Sequence, residues 1–156
     1  MQHSAIGLIA FALFLAFQAP VAGADETPPA DVRVLIDVSG SMKQNDPHNL
    51  RIPALKLLVN LMPPGAWAGV WLFAEQAQPL VPLERVDQNW QKQALALAAK
   101  IHSRGQRTDI EAALKKAALE RQTADATSRR RLILLTDGLV DVGKEADKNA
   151  ASKKRI

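Results

Sequence analysis

The chain has 156 residues, which is enough for one domain and too few for two. It contains no cysteine, so disulfide bonds are excluded and the fold depends on its core. The formal net charge is only +4, and the basic clusters at 129–131 and 153–155 contain no aromatic residues. These features argue against nucleic acid as a partner and indicate solvated surface charge.

The first 24 residues have the composition of an export signal. An almost continuous apolar stretch at 5–17 precedes Ala22-Gly23-Ala24, a small-x-small cleavage sequence. We therefore predict a signal peptide over 1–24, a linker over 25–30, one domain over 31–156, and a location in the periplasm or cell envelope. Because no Lys or Arg precedes the apolar stretch, an uncleaved anchor is the alternative.

The domain begins with a predicted strand and a predicted helix. Residues 32–36 form a short, largely aliphatic run, which predicts a buried parallel strand. The polar segment 42–49 follows, and we expect it on the rim of a site at the end of that strand. Apolar residues then recur at helical spacing over 52–62, and Pro63-Pro64-Gly65 ends the helix.

The middle of the chain predicts a hairpin and a second helix. Residues 70–73 and 78–81 are typical of a β-hairpin, and two prolines confine the second strand to an edge of the sheet. The following helix has apolar residues at helical spacing, with Asp87 or Asn89 as its N-cap. Those apolar residues, of which the tryptophan is predicted to lie in the core, are Trp90, Ala94, Leu97 and Ile101.

A third helix and another buried strand follow. The helix is predicted from Thr108 toward Gln122, and Thr108 with Glu111 fits a capping box. Residues 132–135 predict the next buried strand, and 149–156 are typical of the start of a further helix. This alternation of strands and helices predicts an open α/β sheet.

Five oxygen-bearing side chains in this pattern predict a divalent-cation site. They are Asp37, Ser39, Ser41, Thr108 and Asp137. Asp37 and Asp137 each follow a buried strand, and ligands of open α/β sheets bind at the carboxyl ends of the strands. Hydroxyl and carboxylate oxygens are the ligands that Mg²⁺ prefers. Taken singly, the pieces also fit a polar Gly-Ser turn, a helix cap and an Asp-Gly turn.

The five residues resemble the metal-ion-dependent adhesion site (MIDAS) of the von Willebrand factor A (vWA) family, whose pattern is Asp-x-Ser-x-Ser, a distant Thr and a distant Asp. The match covers 31–138. The resemblance implies that Ser39, Ser41 and Thr108 bind Mg²⁺ (or Mn²⁺) directly, while Asp37 and Asp137 act largely through water. It further implies that a partner protein supplies an acidic residue to the ion, with no nucleic acid or small-molecule substrate.

The resemblance also implies the architecture and the setting. A vWA domain has an open, mostly parallel, doubly wound, Rossmann-like sheet with one antiparallel edge strand. Two more parallel strands and their helices would follow position 138, so we expect this chain to be a fragment that lacks the C-terminal strands and helices, where a membrane anchor could also lie. The export signal, the metal loop and the sequence at 148–152 resemble exported vWA proteins of Gram-negative bacteria.

Two other classes of function compete with a metal-dependent binding module. The first is a metal-independent scaffold. The second is a hydrolase or phosphotransferase that uses Asp37, but the family resembling haloacid dehalogenases needs Asp-x-Asp, and Ser39 occupies the second position. No Gly-x-Ser-x-Gly or Gly-x-Gly-x-x-Gly follows the first strand. We therefore expect that the protein is not an enzyme.

Overall fold

The computed structural model describes residues 29–119, 129–143 and 146–156. Its strands are β1 (Ala30–Asp37), β2 (Trp67–Phe73), β3 (Ala77–Arg85) and β4 (Arg129–Leu135). Its helices are α1 (Met42–Asn45), α2 (Arg51–Leu61), α3 (Gln88–Leu97, continued by a 3-10 turn at Ala98–Lys100), α4 (Ile110–Leu119) and α5 (Ala146–Lys153). The predicted signal peptide, most of the predicted linker and the predicted helix end near Gln122 lie outside the described residues.

The described strands form one mixed sheet in the order β3-β2-β1-β4. β1 lies in the centre and pairs in parallel with both β2 and β4, with Asp37 opposite Phe73 and Ile36 opposite Leu135. β2 and β3 pair antiparallel, so β3 is the edge strand that its prolines predict. β1 ends at Asp37, and Asp137 follows β4 by two residues. The two strands are therefore neighbours, and both end at the same edge of the sheet.

The alternating side chains of β1 divide the core between the two faces of the sheet. On one face, Val34 and Ile36 pack with residues of α2 and α3, including Leu55 and Trp90. On the other face, Leu35 packs with Trp71, Phe73 and the apolar side of α4. Each of these aliphatic side chains contributes about 1.5–3 kcal/mol on burial. Helices cover both faces, so the predicted doubly wound α/β class is confirmed.

Several predicted boundaries shift. β4 begins at Arg129 rather than at 132, because its main chain pairs with β1 even where its side chains are charged and exposed. The predicted polar rim at 42–49 contains the one-turn helix α1, whose Met42 is buried. Trp90 is in the core as predicted, and Asp87 is the cap of α3, since its side chain accepts a hydrogen bond from Trp90 N.

The predicted N-cap of the third helix is wrong. α4 begins at Ile110, and Asp109 caps it, with Oδ1 accepting from Ala112 N at 2.9 Å. Thr108 instead pairs through its main chain with Asp141, at N···O distances of 2.8 and 3.0 Å. Because this pairing fixes Thr108 in an extended bridge, the cap moves one residue along the chain. Glu111 lies outside any capping box and pairs with Lys115 and Arg155.

A buried ion pair lies within the strand that the sequence presents as aliphatic. The side chains of Asp31 and Arg33 are both fully buried, with Arg33 Nη2 2.8 Å from Asp31 Oδ2. Arg33 also donates to the carbonyl of Ala117, and Arg130 donates to the carbonyl of Ala118 at 2.9 Å. Both carbonyls are at the C-terminal end of α4, so this network fixes that end of the helix to β1 through Arg33 and to β4 through Arg130.

Among the residues that the structure describes, no helix has both the length and the apolarity that crossing a bilayer requires.

Candidate metal centre

The candidate centre lies at the carboxyl edge of the sheet, where three loops meet. Asp37 is the last residue of β1, and the loop with Ser39 and Ser41 leads from it into α1. Asp137 follows β4 by two residues, and Thr108 lies in the loop before α4. β1 and β4 are parallel neighbours that end at the same edge of the sheet. The topology therefore brings the loop with Ser39 and Ser41 close to the loop with Asp137.

The carboxylate of Asp37 is fixed through both of its oxygens. The residue is fully buried; Oδ1 accepts from Ser39 N at 2.8 Å and Oδ2 accepts from Thr136 Oγ1 at 2.7 Å. Thr136, next to Asp137, has no role in the sequence prediction. Its position directly after a buried strand was the available signal.

The loop that contains Ser39 and Ser41, here called the serine loop, presents its two hydroxyls side by side. Ser39 is 1% exposed, and its Oγ lies 3.1 Å from Ser41 Oγ. A Cβ on Gly40, between them, would lie 3.2 Å from Gly105 O, so the loop fits tightly against its neighbour. A small residue at this position lets the two loops approach closely.

Main-chain hydrogen bonds fix the Thr108 loop against the serine loop. Gly105 N donates to Val38 O at 2.9 Å, and Asp109 N donates to Ala74 O at 2.8 Å, just beyond β2. A Cβ on Gly105 would lie 2.3 Å from the Cβ of Ala74, which explains a glycine at this contact. Thr108 itself is 3% exposed. The structure thus places the Thr108 loop beside the serine loop.

Asp137 is half-buried in the loop that follows β4. Its Oδ2 accepts from Asn45 Nδ2 at 2.8 Å, and its Oδ1 accepts from Leu139 N at 3.0 Å. Burial raises the pKa of Asp137, but the hydrogen bonds from Asn45, Leu139 N and Ser41 outweigh burial and leave the pKa below its ordinary value. The carboxylate is therefore ionised at neutral pH. Asn45 was missed because nothing in the local sequence links α1 to β4.

The donor set suits a hard cation. All five predicted residues offer oxygen atoms, and Mg²⁺ binds oxygen in an octahedron at about 2.1 Å. Adjacent ligands of such an octahedron stand about 3.0 Å apart, and the two serine hydroxyls are 3.1 Å apart. Three of the five residues carry hydroxyl groups. Among the described residues, no group of three or more His, Cys, Asp and Glu is placed to hold a metal ion.

An open groove borders the candidate centre at Asp137, one of its lining residues. It has a volume of about 360 Å³ and lies between the α1–α2 region and the end of β4. Its walls are partly apolar and partly polar, and they include Met42, Asn45, Leu50, Leu135 and Asp137. The carboxylate of Asp137 is thus accessible from the groove.

A family model described as the von Willebrand factor type A domain matches residues 32–139. This range contains all five predicted site residues. It covers more than half of the 156 residues. A search of curated proteins finds no match.

Solved structures of several vWA proteins resemble the chain. A von Willebrand factor type A protein from Catenulispora acidiphila is 26% identical, with a TM-score of 0.67, over 81% of this chain and 30% of that one. Proximal thread matrix protein 1 from the mussel byssus, with a zinc-occupied MIDAS motif, is 21% identical, with a TM-score of 0.61, over 82% and 36%. The vWF domain of the pilus tip protein Mfa5 from Porphyromonas gingivalis is 19% identical, with a TM-score of 0.56, over 73% and 39%.

The chain therefore spans less than half the length of each of these three structures. The TM-scores of 0.56 to 0.67 show that the chain shares the fold of these structures. The sequence resemblance is confirmed, and the chain belongs to the von Willebrand factor type A domain family.

Proposed function

We propose that the protein is a divalent-metal-dependent binding module that holds an acidic residue of a partner protein. The observation that supports this most strongly is the side-by-side placement of the Ser39 and Ser41 hydroxyls, 3.1 Å apart, in a loop that a main-chain hydrogen bond from Gly105 N to Val38 O joins to the Thr108 loop. Ser39, Ser41 and Thr108 would hold Mg²⁺ or Mn²⁺ directly. When bound, the ion supplies a positive charge with an open position for a carboxylate.

The two aspartates would act from the second layer of ligands. Both oxygens of Asp37 already accept hydrogen bonds from Ser39 N and Thr136, so its carboxylate is oriented by the protein. Asp137 is held in the same manner by Asn45 and Leu139 N. Neutral hydroxyls nearest to the ion leave it electrophilic, which favours an anionic ligand from outside.

Surface charge and relatives support an acidic protein partner. Lys43, Arg104 and Arg107 are exposed on the segments that form the centre. Basic residues near a binding site attract acidic partners. One structural relative is the vWF domain of a type V pilus tip protein, which agrees with the proposed exported location in the periplasm or envelope.

A metal-independent scaffold is the second candidate, and one observation favours it. Protein groups alone hydrogen-bond both aspartates, so the loops can keep their shape without an ion. An enzyme that uses Asp37 as a nucleophile has less support, because that carboxylate is fully buried and both of its oxygens accept hydrogen bonds.

A capture experiment separates these candidates. The immobilised chain is incubated with envelope extract in Mg²⁺ or in EDTA, alongside Ser39→Ala. The proposal predicts proteins that are retained only by the wild type and only in Mg²⁺. Retention that is equal in EDTA would favour the scaffold.

A further inference from the structure

Arg51 is a buried arginine behind the metal loop that the proposed site does not use. It is the first residue of α2, and it is 5% exposed. A guanidinium group has five N–H donors in a rigid plane, so a buried arginine can join several chain segments at once.

The guanidinium of Arg51 joins three segments around the site. Nη1 donates to the main-chain carbonyl of Asp37, at the end of β1. Nη2 donates to Ser103 Oγ at 2.7 Å, at the start of the loop that carries Thr108, and to Asn49 Oδ1 at 2.7 Å. Nε donates to Asp46 Oδ2 at 2.7 Å, in the turn between α1 and α2.

Arg51 does not occupy the carboxylate oxygens of Asp37, which belong to the candidate metal site. Arg51 bonds the carbonyl of Asp37 and none of its carboxylate oxygens, which accept from Ser39 N and Thr136 instead. The charge of Arg51 is balanced by Asp46, 2.7 Å away. The guanidinium of Arg51 therefore anchors the serine loop without occupying the position of a bound metal ion.

Arg51 links the two loops that carry the proposed direct ligands. The serine loop begins at Asp37, and the Thr108 loop begins near Ser103, and Arg51 bonds both starting points. The turn at Asn49 is a third fixed point, because this residue has a positive φ of 54° and donates from Nδ2 to Ile101 O at 3.0 Å. Arg51 thus adds a side-chain link between two loops that the main-chain hydrogen bond from Gly105 N to Val38 O also joins.

We propose that Arg51 is a positioning residue that sets the metal affinity of the centre by fixing the serine loop and the Thr108 loop relative to each other. This inference rests on the proposed function, since it assumes that these loops bind a divalent cation. Residues that orient metal ligands from outside typically change affinity about 10- to 100-fold when replaced. The same range is expected for Arg51.

The test measures Mg²⁺ binding by calorimetry for the full chain, Arg51→Met and the matched control Arg33→Met. Arg33 is also buried and bonds an aspartate and a carbonyl, in the first half of β1 and away from the carboxyl edge of the sheet. Both variants should lose stability in urea. Only Arg51→Met should bind Mg²⁺ about 10- to 100-fold more weakly than wild type.

A second variant keeps the test decisive if Arg51→Met does not fold. Ser103→Ala removes one acceptor of the guanidinium and should also weaken Mg²⁺ binding more than it lowers stability. Wild-type Mg²⁺ affinity in Arg51→Met, or in Ser103→Ala where Arg51→Met does not fold, would overturn the inference and leave the proposed function standing. A wild-type chain that binds no Mg²⁺ would overturn both.

Discussion

Ser39→Ala separates the metal site from the fold. Its hydroxyl is almost fully buried, and its hydrogen bond is to Ser41 Oγ at 3.1 Å. A hydrogen bond of this kind contributes about 1 kcal/mol net, so in EDTA the free energy of unfolding should fall by about that amount. In Mg²⁺ at 100 times the dissociation constant, a bound ion adds about 2.7 kcal/mol to the wild type. A variant with 100-fold weaker affinity would gain only about 0.4 kcal/mol.

The assay is urea unfolding of each protein in EDTA and in Mg²⁺. Ser152→Ala is the matched control, because Ser152 is also 1% exposed and its hydroxyl has no hydrogen-bond partner within the described part of the chain. The control should keep the full Mg²⁺ increment. If Ser39→Ala kept the full Mg²⁺ increment too, Ser39 would not be a ligand of the ion.

Three further predictions concern the fold around the site. Burial raises the pKa of Asp31, but hydrogen bonds and charge from Arg33 and Arg130 outweigh burial and lower the pKa. The stability that ionised Asp31 contributes is therefore complete above its ordinary pKa of 3.8, and it is lost as the pH falls through the pKa of the folded state. Asp31→Asn should flatten this acid dependence in urea titrations from pH 2 to 6; an unchanged slope would contradict the assignment. In urea unfolding, Asp109→Ala should lose about 1 kcal/mol of helix-cap stability, and calorimetry should show that it keeps Mg²⁺ binding. Thr108→Val should keep its stability and lose Mg²⁺ binding. If each variant affected both properties equally, the two residues would not have separate roles. Gly105→Ala places a Cβ 2.3 Å from a neighbouring Cβ atom and should cost about 1–3 kcal/mol of unfolding free energy, and a neutral result would show that the loops can separate.

The sheet and its class could be predicted from the sequence because buried strands carry a local signal. The runs at 32–36 and 132–135 are aliphatic, and the prolines near β3 mark an edge. The length of β4 could not be predicted, since its first residues, Arg129 to Arg131, are charged and exposed and are strands only through their pairing with β1. Main-chain pairing across the sheet leaves no trace in side-chain polarity.

The candidate site residues are predicted from local sequence signals of the same kind, whereas the contacts that orient their side chains are not. The five oxygen-bearing residues lie in short motifs at strand and helix ends. The contacts that orient them come from distant parts of the chain: Thr136 reaches Asp37, and Asn45 reaches Asp137. A Thr followed by a Glu three residues later predicts a capping box at Thr108. The structure instead pairs the main chain of Thr108 with Asp141, which is distant in the sequence, so no local signal could indicate it.

Anomalous scattering from crystals grown with Mn²⁺ tests the central claim most directly. The account predicts one strong peak about 2 Å from the hydroxyls of Ser39, Ser41 and Thr108, and no peak in crystals of Ser39→Ala. A wild-type map with no peak among these three hydroxyls, or a peak that persists unchanged in Ser39→Ala, would contradict the account.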